Sequence, residues 1–72
     1  MPKLPGVNHK DAVRAFERAG FHVQRQSKHI IMTDAAGARV LVIPRANPVN
    51  AITMGIIVRD SGMTVEEFRK LL

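Results

Sequence analysis

The side chains best suited to chemistry gather in one stretch, Arg25-Gln26-Ser27-Lys28-His29-Ile30-Ile31-Met32, where two cations, two neutral hydrogen-bonding groups and a histidine lead into an apolar run. An imidazole exchanges its proton near neutral pH, so His29 can take a proton from a hydroxyl or return one to a leaving oxygen. Lys28 directly before it, with Arg25 and Arg39 expected on neighbouring strands, can hold a phosphate and stabilise charge developing on its oxygens. Ser27 and Gln26 add neutral donors, and Arg45 extends the cationic set past the third strand. These residue types fit a metal-free phosphodiester cleavage centred on one histidine, with the 2′-hydroxyl of RNA as the attacking group.

Each member also has a plainer reading. A lone histidine at a strand start ordinarily makes one backbone hydrogen bond and nothing more; the cations around His29 are what favour chemistry. Any single arginine, or Lys28, is as well explained by solvation as by phosphate contact, and Gln26 by strand surface. His9 reads as a helix-start residue and His22 as a solvent-facing strand residue. With no cysteine and no closely spaced histidine pair a zinc site is not expected, and the chemistry needs no cofactor. Base stacking on aromatic rings is disfavoured, because the chain has no Tyr, no Trp and only three Phe, all at core spacing. Recognition by shape and backbone charge fits better, with Lys3 and Lys10 as outer contacts.

The elements that position this stretch can be read on either side of it. Residues 1 to 7 carry two prolines and a glycine and are expected to form an extended arm. Asn8 offers an N-cap, Ala12, Val13, Phe16 and Ala19 recur at helical spacing, and Gly20 supplies the stop. Phe21 and Val23 then alternate with His22 and Gln24 as in a half-buried strand, and Ser27-Lys28 is the expected reversal. His29 to Thr33 is a second strand, Asp34-Ala35-Ala36-Gly37 a type I turn, and Arg39 to Ile43 a third strand ended by Pro44. Three consecutive apolar residues, Ile30 to Met32, leave open which side of the second strand faces the core, and with it the orientation of His29. A second helix is expected from Thr53 to Ser61, stopped by Gly62. Thr64 and Glu67 form a capping box before a last helix with Val65, Phe68, Leu71 and Leu72 on its apolar stripe. The reading is an α+β fold, a three-stranded antiparallel sheet with helices on one face.

Composition limits the function classes. Seventy-two residues make one domain with a small aliphatic core, and no disulfide can reinforce it. The absence of cysteine fits a reducing cytoplasm, and no apolar run is long enough to span a bilayer or serve as a signal peptide. Eleven Lys plus Arg against six Asp plus Glu favour a polyanionic partner. The distribution sharpens this: Arg14, Arg18, Arg25, Lys28, Arg39 and Arg45 all lie in the first two-thirds, whereas the last helix is balanced.

Three segments, AFERAGFHVQRQSKHIIM, DAAGARVLVIPR and RDSGMTVEEFRKLL, carry a resemblance across nearly the whole chain to the HicA-type (YcfA-like) toxins of bacterial toxin–antitoxin pairs. The resemblance implies a fold similar to a double-stranded-RNA-binding domain, α-β-β-β-α with an extra short C-terminal helix. It implies a ribonuclease acting on messenger RNA, with His29 at the catalytic position. It also implies a HicB-type antitoxin that covers the His29 face in a hetero-oligomer. Ser27 and Lys28 stand where the family usually has Gly and Ser, and Ile52 where it usually has Gly. Two other readings compete: a non-catalytic RNA-binding module using the same basic face, and a protein-binding domain whose charge serves only an acidic partner.

Overall fold

Asn8 opens the first helix: its side chain accepts the Lys10 backbone N–H at 2.9 Å. The helix, α1, spans His9–Arg18 in the computed structural model, which describes residues 6 to 72. Most of the expected arm, with Lys3, therefore lies outside the described residues. Its last residue, Val7, is not a free end. It is buried and paired with Val49 through two backbone hydrogen bonds, of 3.2 and 2.7 Å.

The chain then forms strands β1 (His22–Gln26), β2 (His29–Thr33) and β3 (Val40–Pro44), followed by helices α2 (Ala51–Asp60) and α3 (Val65–Leu71). The strands pair antiparallel in the order β1-β2-β3. Pro44 ends β3 instead of lying beyond it, which an edge strand tolerates because a proline there leaves no central ladder bond unmade. Asp34 closes the β2–β3 turn as expected. Its carbonyl accepts the Gly37 N–H at 3.1 Å, its carboxylate accepts the Ala38 N–H at 2.8 Å, and Gly37 takes φ +70°.

Helix α2 begins two residues earlier than the apolar spacing predicts. The reason is a cap: the Asn50 side chain accepts the Thr53 N–H at 2.8 Å, so the loop asparagine starts the helix. The Thr64–Glu67 capping box is present in both directions, at 3.0 and 3.1 Å.

All three helices bury apolar side chains in one core with the sheet: Ala12, Ala15 and Phe16 from α1, Met54, Ile57 and Val58 from α2, and Phe68 from α3. Ala19 and Leu72, expected on these stripes, are exposed at the helix ends, and Ala15 takes the inner position on α1. Phe16 stands 4.9 Å from Phe68 and 5.9 Å from Phe21, ring centre to ring centre, the latter edge to face. From the sheet, Ile30, Met32, Leu41 and Ile43 are buried, while Val40 and Val42 are exposed. No helix among the described residues is long and apolar enough to cross a membrane.

The capping box makes a stability prediction. Thr64→Ala should cost about 1 kcal/mol, lowering the melting temperature by roughly 4–8 °C in a domain of this size. Hydrogen bonds from the Thr64 backbone and side chain hold the Glu67 carboxyl below its ordinary value, with a smaller contribution from Lys70. A depressed folded-state value means the stabilisation is in force above the ordinary carboxylate range and is lost as pH falls through the lowered value. Urea midpoints of the parent and Glu67→Gln should therefore converge on acidification; a gap that does not change with pH contradicts this.

Candidate functional site

The parity of β2 sets the orientation of His29. Ile30 and Met32 are buried beneath the helices, so His29 and Ile31 face the other way, His29 exposed and Ile31 half-buried. His29 pairs with Pro44 on one side, and on the other it follows the hairpin tip Ser27-Lys28, where the Ser27 N–H donates to the His29 carbonyl at 3.1 Å. Among the described residues, none other than glycine has a positive φ. The tip thus turns without the left-handed residue that a glycine would supply, and Ser27 fits it.

A β-bulge at Gln24 decides where Arg25 goes. Val23 lies opposite Met32 and Arg25 opposite Ile31, so two steps along β1 match one along β2. Strict alternation would send Arg25 to the same face as Val23. The extra residue instead puts Arg25 on the open face with His29 and Ile31, and Gln26, opposite Ile30, on the helix side. Bulges re-aim side chains in this way without altering the rest of the ladder.

The expected cationic set therefore divides. Arg25, Lys28 and His29 share the open face and the tip, whereas Gln26 and Arg45 meet on the helix side, where Arg45 Nη2 donates to Gln26 Oε1 at 3.4 Å. Arg39 joins neither group. It precedes Val40, which pairs with Thr33, so it lies at the opposite end of the sheet, roughly 16 Å along β3 from the His29 partner Pro44 at about 3.3 Å per residue. Its guanidinium lies over Gly62, where an added Cβ would fall 2.9 Å from Cζ, and Nη1 donates to the Asp60 carbonyl at 3.2 Å. Arg39 caps the C-terminal end of α2, so the structure does not bring it beside His29, where the sequence reading placed it. Arg18 is likewise engaged, donating to the Leu71 carbonyl at 2.8 Å.

Sequence reasoning underrated His9. Its backbone N–H and its ring Nδ1–H both donate to the Ala46 carbonyl, at 3.2 and 3.0 Å, which ties the loop after β3 to the start of α1. The proton is assigned to Nδ1 because a carbonyl can only accept. Nothing in the local pattern around His9 marks this contact across 37 residues. His22 is exposed on β1 as expected.

The tie brings Lys10 and Arg45 to the hairpin end, beside Arg25 and Lys28. The start of α1, linked to the loop after β3, lies there too and adds the positive end of its helix dipole. Acidic residues are mostly elsewhere: Asp34 is in the far turn, Asp60 at the end of α2, Glu17 in the last turns of α1, and Glu66 and Glu67 on α3. Asp11 lies on another flank of α1, lining a groove with Arg14 and Arg18. The site combines an exposed imidazole with fixed cations on both sides of one hairpin. Among the described residues no group of three or more His, Cys, Asp or Glu side chains could hold a metal ion. The chain matches no family model, and no curated protein sequence matches it.

Arg39→Ala provides the test of the divided set. It should lower stability by about 0.5–1.5 kcal/mol, the typical worth of one hydrogen bond, and leave affinity for a polyanion such as heparin unchanged. Lys28→Ala should do the reverse.

Proposed function

We propose that this chain is the toxin of a HicA–HicB-type pair, a metal-independent endoribonuclease that cuts messenger RNA with His29 and is silenced by a HicB-type antitoxin. The observation that carries the reading is His29 itself, exposed on the open face of the central strand beside Arg25 and Lys28, at the end of the molecule where cations collect. The order α-β-β-β-α-α, with helices on one face of an antiparallel sheet, agrees with a fold similar to a double-stranded-RNA-binding domain.

In this mechanism neutral His29 takes the proton of a 2′-hydroxyl, and the 2′-oxygen attacks the adjacent phosphorus. A bond forms from phosphorus to O2′ and the bond to O5′ breaks. The imidazolium, directly or through one water, protonates the departing 5′-oxygen, leaving a 2′,3′-cyclic phosphate. Arg25 and Lys28 stabilise the charge that grows on the non-bridging oxygens. The exposed Val40 and Val42, on the open face that carries His29, give an acidic antitoxin apolar surface to cover along with the charge.

Purified chain should cleave single-stranded and messenger RNA in EDTA, and His29→Ala should reduce the rate by about 10²–10⁴-fold, the usual worth of a general acid–base group. Salt-sensitive binding without any scission would instead assign the chain as a non-catalytic RNA-binding module. Equal cleavage by His29→Ala would remove the histidine from the reaction.

A further inference from the structure

We infer that the cleft between the start of α1 and the β1–β2 hairpin is a second phosphate subsite, holding a backbone phosphate next to the one at His29, and that the substrate is an unpaired RNA strand passing round the hairpin tip. The inference rests on the reading of His29 as the RNA-cleaving residue.

The cleft, of about 240 Å³, is lined by His9, Lys10, Val13, Gln26, Ile30 and Arg45. That is many times the roughly 10–15 Å³ that one water needs by the same measure, so the cleft can admit a phosphate. Val13 and Ile30 are its apolar lining, and Lys10 and Arg45 bring two positive charges with no acid among the lining residues. Some of its polar side chains already have partners. Gln26 Oε1 accepts from Arg45, which steadies the guanidinium and leaves the Gln26 amide N–H groups as donors. The His9 ring is held by its Nδ1–H bond to the Ala46 carbonyl, leaving Nε2 as its remaining polar atom. The first amides of α1 do not make the site, because the His9 and Lys10 N–H groups are taken by Ala46 and Asn8. Recognition would come from side chains.

The bulge supplies the second half of the argument. Arg25 faces outward and Gln26 inward on consecutive positions of one strand. One phosphate cannot meet both the Arg25–Lys28–His29 group and the Gln26–Arg45 pair, since the sheet lies between them. Two successive phosphates can, provided the strand bends over Ser27-Lys28. A regular duplex holds its backbone too rigidly for that course, whereas single-stranded loops and ends can be splayed.

The test measures binding in a His29→Ala background, so that cleavage plays no part. The probes are a short single-stranded RNA and the duplex of the same sequence, titrated over a range of salt. Lys10→Gln with Arg45→Gln should weaken single-strand binding and make the slope of log K against log salt shallower by about 0.7, the value for one phosphate contact on a single strand. Arg59→Gln with Lys70→Gln, which removes the same charge away from the hairpin, should leave that slope unchanged. The single strand should bind more tightly than the duplex, and the first pair of substitutions should narrow the difference. An unchanged slope in the Lys10/Arg45 variant, an equal loss in the Arg59/Lys70 control, or a duplex preferred over the single strand overturns the subsite. If the parent cleaves RNA while the Lys10/Arg45 variant binds as before, only the subsite falls. If the parent chain neither cleaves nor binds RNA, the nuclease reading falls with it.

Discussion

The burial of Ile30 and Met32 against the helices is the constraint on which the rest of this molecule depends. Side chains alternate along a strand, so enclosing those two commits His29 and Ile31 to the opposite face. The neighbouring strand enforces the same choice, because Leu41 and Ile43 pair with Met32 and Ile30 and are fully buried. A slip of one residue in β2 would exchange these faces. Burial of a large aliphatic side chain is worth about 1.5–3 kcal/mol, so exposing Ile30 and Met32 would cost about 3–6 kcal/mol, a large share of the 5–15 kcal/mol that stabilises a small domain. The orientation of the histidine is therefore a consequence of core packing, and no hydrogen bond to its ring is needed to hold it outward.

Much of the fold could be read from local sequence because its signals are local. Asn8, Gly20, the Asp34–Gly37 turn and the Thr64–Glu67 pair each act within a few residues, and each has the role its type and spacing suggest. What could not be read depends on partners distant in the chain. Ile30, Ile31 and Met32 are alike in polarity, so only the helices above the sheet decide which of them is enclosed. The bulge at Gln24 has no glycine to announce it, and it appears only once β1 is aligned with β2. Arg39 carries the same charge as Arg25 and also adjoins a strand, yet it is drawn to the end of α2, 21 residues away. Within the candidate site, His29, Lys28 and Arg25 could thus be grouped from sequence, while the separation of Gln26 and Arg45 from them could not.

The division of the cations follows from the same geometry. A sheet covered on one side offers an open face and a margin where the helices begin, and basic side chains at one hairpin can reach both. The bulge gives β1 a residue on each side at consecutive positions. Were β1 regular, Arg25 would face the helices and the open face would hold His29 without its nearest guanidinium. One inserted residue accordingly decides whether the histidine has a guanidinium on its face of the sheet.

Concentrating charge at one end of so small a domain has a cost, and the way the end is built limits it. Arg25, Lys28, Arg45 and Lys10 are all exposed, so water and salt screen their repulsion over a Debye length of about 8–10 Å. None needs to be desolvated for the fold to form, and the core beneath them is aliphatic. The exposed loop that carries Arg45 is the part most easily displaced by repulsion, and it is tied twice: through Ala46 to His9, and through Val49 to Val7. Val49 is buried, so opening the loop would expose an apolar side chain as well as break backbone hydrogen bonds. The loop is held by packing rather than by ion pairing, which leaves the charges of the hairpin end free to act on an anion from outside.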